Sequence, residues 1–198
     1  YNLDLEWNWH KKPFQAKFEP DMLRAQTIGL QTGNIPHAMS TPGKINAKTR
    51  QAILKTEAFR THLYGMYVHE IRGPGITTRT MPAPLDAFGY GKPDCTVYNY
   101  WQEDPPLQVS DPACKWLMLQ REDKVFVLFV TWNPDPRQVA CRFDFKRLGI
   151  APPTAAEDAE SDEKLPLSTE QLSVPMKGYG VRMVRFEGVP ATAAVSEP

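Results

Sequence analysis

Hydrophobic and polar positions alternate at the start of the chain. Tyr1, Leu3, Leu5, Trp7 and Trp9 fall on one side, and Asn2, Asp4, Glu6 and Asn8 on the other. A period of two, carried by aromatic residues, predicts a strand over 1–9. Phe18 to Arg24 predicts a short helix with Pro20 in its first turn. Thr27 to Thr32 reads as a brief strand closed by Gly33-Asn34, and residues 33–46, with Gly33, Pro36, Pro42 and Gly43, read as loop. Lys48 to Leu63 is the strongest helical segment: it has no Pro or Gly and carries apolar Ala52, Ile53, Ala58, Phe59 and Leu63. Met66-Tyr67-Val68 predicts a strand running into His69-Glu70-Ile71-Arg72, ended by Gly73-Pro74-Gly75. Strands alternating with helices predict βα units and a parallel sheet.

The pattern changes near residue 90. Cys95 to Trp101, Leu107 to Ser110, Cys114 to Gln120 and Lys124 to Asn133 are strand-like, the last two joined by the hairpin-length Arg121-Glu122-Asp123. Arg137 to Phe145 alternates, with Val139, Cys141, Phe143 and Phe145 on one side. Gln171 to Met176 and Tyr179 to Glu187 complete the set around Lys177-Gly178. Short strands separated by Pro and Gly turns predict an antiparallel β-sandwich. Residues 151–164, rich in Ala, Pro and acids, are expected to be an exposed loop. The expected organisation is a β/α region over 1–88, a sandwich over 89–190 and a flexible tail over 191–198.

Composition narrows the function. Among 198 residues, 23 basic and 23 acidic side chains cancel, so the basic surplus of a nucleic-acid domain is absent. The first hundred residues lean basic and the last fifty lean acidic. No run approaches the ~18 apolar residues of a membrane span. Pro, at 19, and Trp, at 5, point to strands and ordered loops rather than a helical bundle. Cys95, Cys114 and Cys141 contain no C-x-x-C, which excludes zinc ribbons and thioredoxin motifs, and Cys114 and Cys141, in apolar strand-like runs, read as small buried hydrophobes. Gly89-Tyr90-Gly91 lacks the rest of a phosphate loop, and no G-x-S-x-G occurs. No cofactor and no metal are expected. The chain opens on Tyr1 without a signal-peptide pattern, so the expectation is a processed chain or part of a longer polypeptide.

The run Val97-Tyr98-Asn99-Tyr100-Trp101, then Leu107-Gln108-Val109-Ser110, the core run Val125 to Asn133 and the ending Gly178 to Phe186 resemble the carboxyl-terminal part of a (β/α)8-barrel glycoside hydrolase. The layout is similar to that of α-galactosidase-like and family-123-like enzymes over about residues 66–187. The resemblance implies an α/β plus all-β fold, the end of a β/α barrel followed by an antiparallel β-sandwich. It implies a carbohydrate substrate and favours a secreted or periplasmic location. Residues 1–72 would then be the last barrel strands, and a partner chain or self-association would cover the open barrel edge.

Against that layout, Glu6 is the first catalytic candidate and Asp4 its neighbour, because i and i+2 in a strand share a face and glycosidases set two carboxyl groups across the scissile bond. The alternative is a solvated strand face. Trp7 and Trp9 either stack on sugar or pack in the core, and His10 follows them as a substrate contact. His69, Glu70 and Arg72 form a polar cluster at a strand end, with Glu70 a third catalytic candidate; the alternative is a helix C-terminus, where His and Arg suit the dipole. His37 falls in the predicted loop after a strand, as a substrate contact or a plain surface residue. Tyr98, Tyr100 and Trp101, with Trp116 and Trp132, read as core or interface more readily than as a sugar platform. Two other functions stay open: a non-catalytic carbohydrate-binding or structural sandwich, and an interface subunit of a larger assembly.

Overall fold

The computed structural model describes residues 2–3, 19–27, 37–40, 67–71, 83–168 and 171–190. The chain divides into two compact units, Tyr1–Ala83 and Pro84–Pro198.

In the first unit the described elements are β1 (Asn2–Leu3), α1 (Pro20–Thr27), β2 (His37–Ser40) and β3 (Tyr67–Ile71). Pro20 opens α1, where its missing N–H leaves no helical bond unmade, Asp21 sits in the first turn and Arg24 in the last, each matching the helix dipole. The strands form a parallel sheet in the order β1-β2-β3, as the βα reading requires. Asn2 pairs His37, which pairs Tyr67. Further along, Met39 pairs Glu70 and Ser40 pairs Ile71, with a register shift after Ala38 that leaves His69 as the extra residue of β3.

Two expectations fail here. Residues 37–40 are strand rather than loop: Pro36 precedes β2 and so costs it no ladder bond, and four residues are too few to show alternation. Helix α1 runs to Thr27, where a strand had been expected to begin. The expected helix over 48–63 and the remainder of the first strand lie outside the described residues.

Helix α2 (Ala83–Phe88) begins at the last residue of the first unit, and the second unit continues from it through strands β4 (Thr96–Asn99), β5 (Leu107–Val109), β6 (Cys114–Arg121), β7 (Lys124–Thr131) and β8 (Arg137–Phe143). A one-turn helix α3 (Phe145–Leu148) follows, then β9 (Ile150–Ala151), β10 (Ala156–Asp158), β11 (Lys164–Leu165), β12 (Gln171–Met176), β13 (Val181–Glu187) and β14 (Val189–Pro190). A six-stranded sheet in the order β11-β10-β13-β7-β6-β4 faces a three-stranded sheet β12-β8-β5, and β14 pairs β9. Among the described residues every strand pairing in this unit is antiparallel.

Between the sheets lie Trp116, Met118, Val127 and Phe129 from one side and Val139, Cys141, Leu172 and Val174 from the other, all buried. Phe143, Phe145 and Phe186 form an aromatic triad with centroids 5.1–6.0 Å apart. Each such side chain contributes about 1.5–3 kcal/mol on burial. The two sheets differ in their outer faces. Strand β8 alternates cleanly, with Gln138, Ala140 and Arg142 exposed. On β6 and β7 the positions between the core residues, Leu117, Leu119, Phe126, Leu128 and Val130, are buried as well. The continuous run Val125 to Val130 is therefore a strand buried on both faces.

Residues 151–164 are not an exposed loop. They contain β10, whose Ala156 and Asp158 are buried and which pairs β13. The strand expected over 137–145 stops at Phe143, because Asp144 caps α3 by accepting from the Arg147 N–H and Gly149, at φ 68°, closes it.

Candidate functional site

Three sequence candidates fall in described strands of the first unit. His37 opens β2, and His69 and Glu70 lie in β3, with Glu70 one residue from its carboxyl end. His37 thus stands at the amino end of its strand rather than in a loop after one, and the helix-C-terminus alternative for His69 and Glu70 falls because both are in a strand. The register sets Glu70 against Met39 and leaves His69 at the bulge. Parallel sheets carry their chemistry at the carboxyl ends of strands, which suits Glu70 and not His37. Asp4, Glu6, Trp7, Trp9, His10 and Arg72 lie outside the described residues.

In the second unit the aromatic candidates take structural places. Trp116 and Trp132 are buried, and Tyr98 and Tyr100 pack on the core. The Tyr98 hydroxyl donates to Gln120 Oε1 at 3.2 Å, and Lys115 Nζ stands 5.0 Å from the centre of the Tyr100 ring. Burial pushes the Cys141 thiol up to about 12 and raises Cys114 further. These are packed thiols, not nucleophiles. Among the described residues no three His, Cys, Asp or Glu side chains come together as metal ligands. Nor, among them, is any helix long and apolar enough to cross a membrane.

Two charge clusters that the sequence reading did not single out lie along β13. Arg182 Nε donates to Asp158 Oδ2 at 2.7 Å, Nη1 to the Pro175 carbonyl at 3.1 Å, and Nη2 to Glu163. Asp158 Oδ1 accepts from the N–H groups of Glu160 and Ser161, each at 2.9 Å. Three residues on, Arg185 pairs Glu157 directly across the ladder at 3.4 Å and Asp162 at 2.5 Å. Their signal is long-range: the acids precede the arginines by 19 to 28 residues and meet them only through the antiparallel register.

A cleft of about 360 Å³ opens beside the second cluster. Half-buried Phe88 gives it an apolar edge, buried Val125 and Phe186 line it from the core, and Lys124, Glu157, Arg185 and Glu187 supply its polar surface. Phe88 is fixed in place. Its ring lies 5.6 Å from Phe126, and its carbonyl accepts from Arg121 Nη1 at 3.1 Å. Gly89, at φ 114°, ends α2 by donating back to the Leu85 and Asp86 carbonyls. Arg121 in turn holds Asp94, whose carboxyl it keeps below the ordinary carboxylate value. A wider, more polar groove of about 640 Å³ lies along Pro105, Pro106, Arg142, Lys146 and Pro152.

Residues 83–171 match the family model of the glycoside hydrolase 123 C-terminal domain. Among curated proteins, none matches the chain. A protein of Bacillus halodurans C-125, assigned by inference as an α-N-acetylgalactosaminidase, is similar in structure at a TM-score of 0.53 and 13% identity, over 84% of this chain and 41% of that one. The GH27 β-L-arabinopyranosidase of Geobacillus stearothermophilus gives 0.47 at 16% identity, over 79% and 33%. The α-galactosidase I of Mortierella vinacea gives 0.46 at 9%, over 78% and 40%. The chain thus spans less than half the length of each of these structures, and at such identities the likeness is one of fold. Residues 83–171 are similar to the C-terminal domain of glycoside hydrolase family 123, the resemblance that the aromatic strand at 97–101 and the closing strands had suggested.

Proposed function

We propose that this chain is the carboxyl-terminal part of a glycoside hydrolase that cleaves oligo- or polysaccharide glycosidic bonds by carboxylate chemistry. The observation that carries the reading is the order of parts: a parallel sheet, then an antiparallel sandwich whose first 89 residues or so match a glycosidase C-terminal domain. In this reading the three parallel strands belong to a barrel completed by further strands, from a longer polypeptide or a partner chain. One carboxyl group protonates the leaving oxygen, and the second acts as nucleophile or as base toward water.

Glu6 is the first candidate, with Asp4 beside it in sequence and Glu70 near the carboxyl end of β3. Trp7, Trp9, His10, His69 and Arg72 are the candidate sugar contacts, and His37 is the weakest, standing at the amino end of β2. The test is hydrolysis of chromogenic glycosides by the complete assembly and by its Glu6→Gln and Glu70→Gln variants. Removal of a true catalytic carboxyl lowers kcat at least about a hundredfold. Full activity in both variants would overturn the assignment of these two residues.

A further inference from the structure

We propose that the cleft between the end of α2, the start of β7 and the end of β13 is a subsite for one pyranose ring of a neutral glycan, apart from the carboxylates assigned to hydrolysis. Its volume, about 360 Å³, lies at the lower end of the range for small-molecule sites. Its surface is divided as a sugar's is. Half-buried Phe88 offers an apolar edge to the C–H face of a ring, and two ion pairs stand around it. Arg185 with Glu157 at 3.4 Å and Lys124 with Glu187 at 3.9 Å place a donor and an acceptor side by side, twice. A hydroxyl both donates and accepts, so adjacent hydroxyls match such a pair.

The charges select the class of ligand. An anion drawn to Arg185 or Lys124 meets Glu157 or Glu187, and a cation meets the reverse. A neutral, hydroxyl-rich molecule meets neither penalty. The Phe88 side is formed before any ligand arrives: Gly89 caps α2 and Arg121 holds the Phe88 carbonyl. The choice of a sugar rests on the glycosidase reading; the place of the cleft does not.

The experiment is an amide-shift titration of the full chain with methyl α-galactoside, N-acetylgalactosamine and glucose in turn, with benzoate and inorganic phosphate as charged probes. At least one neutral sugar is expected to give saturable shifts at Val125, Glu157 and Arg185. Ala155→Trp places an indole in the cleft from an exposed position and is expected to weaken that binding about tenfold or more. Glu157→Gln keeps the shape and leaves Arg185 its Asp162 partner, and is expected to weaken binding by a smaller factor; it serves where the indole disturbs folding. Shifts absent from the cleft amides, equal binding in both variants, or preferential binding of benzoate or phosphate would each overturn the proposal. Cleft binding without hydrolysis in any assembly removes the enzyme reading and keeps the subsite; hydrolysis without cleft binding does the opposite.

Discussion

Asp158 is an acid in a stretch that reads as solvated, yet its side chain is only 9% exposed against an Arg182 at 15%. Burial alone would raise its pKa. The N–H groups of Glu160 and Ser161, the Arg182 guanidinium and the Ser161 hydroxyl outweigh burial and hold the carboxyl below its ordinary value. A carboxyl depressed in the folded state stabilises above its unfolded pKa, about 3.9, and that stability is lost as pH falls through the folded value. Urea midpoints measured from pH 6 to pH 2 are therefore expected to fall more steeply below about pH 4 in the native chain than in Asp158→Asn. At pH 7 Asp158→Asn is expected to cost about 2 kcal/mol, less than a fully buried pair, because Glu163 still faces Arg182. Gly178 makes a second point at this scale. A Cβ there would lie 1.8 Å from the Pro134 carbonyl oxygen, where backbone meets backbone. Gly178→Ala is expected to cost about 2 kcal/mol or more, read as a lowered urea midpoint with an unchanged slope.

The strands of the sandwich were legible wherever their pattern was local. Residues 114–121 and 124–131 show an apolar run broken by a two-residue hairpin loop, and 137–143 shows strict alternation. Strand β10 was hidden because its burial depends on a partner elsewhere: Asp158 is neutralised by Arg182 on β13, and no window around 156–158 contains that arginine. Helix α3 was legible in principle, since Asp144 and Gly149 are cap residues at the right spacing around Phe145–Leu148, but the preceding alternation ran into it. The contrast between sheets gives a direct test. Leu128, on the outer face of β7, is 0% exposed, while Ala140, on the outer face of β8, is exposed. Leu128→Asp is expected to cost about 4 kcal/mol or more, by burying an unpaired charge, and Ala140→Asp less than about 0.5 kcal/mol, both read from equilibrium unfolding. The thiols follow the same geography. Iodoacetamide on the folded chain is expected to modify Cys95 alone, and slowly, because burial raises its thiol too; Cys114 and Cys141 react only in denaturant, as counted by intact mass.

For the molecule as a whole, the sandwich was more legible than the candidate site, for a physical reason. A sandwich is written in repeated strands, and each repeats the same evidence. A catalytic carboxylate is written in single residues whose types are common everywhere, so a candidate such as Glu70 takes its meaning only from its place near the carboxyl end of β3. That sheet is parallel, and parallel sheets are found covered on both faces and extended by neighbouring strands. Three strands are few beside the eight of a closed β/α barrel, and among the described residues β1 and β3 are its edges. Unpaired parallel edges are templates for further strands. The native mass by light scattering is therefore expected to exceed 22.5 kDa. A second polypeptide contributing barrel strands, identified by denaturing mass, would give Glu6 and Glu70 the partners that glycosidic cleavage needs. A second copy of this chain would cover the edges without supplying the rest of a barrel, and would turn the assignment toward a binding module. A monomer of 22.5 kDa with protected edge amides in hydrogen exchange would show the sheet already satisfied, and the completed-barrel reading would fall with it.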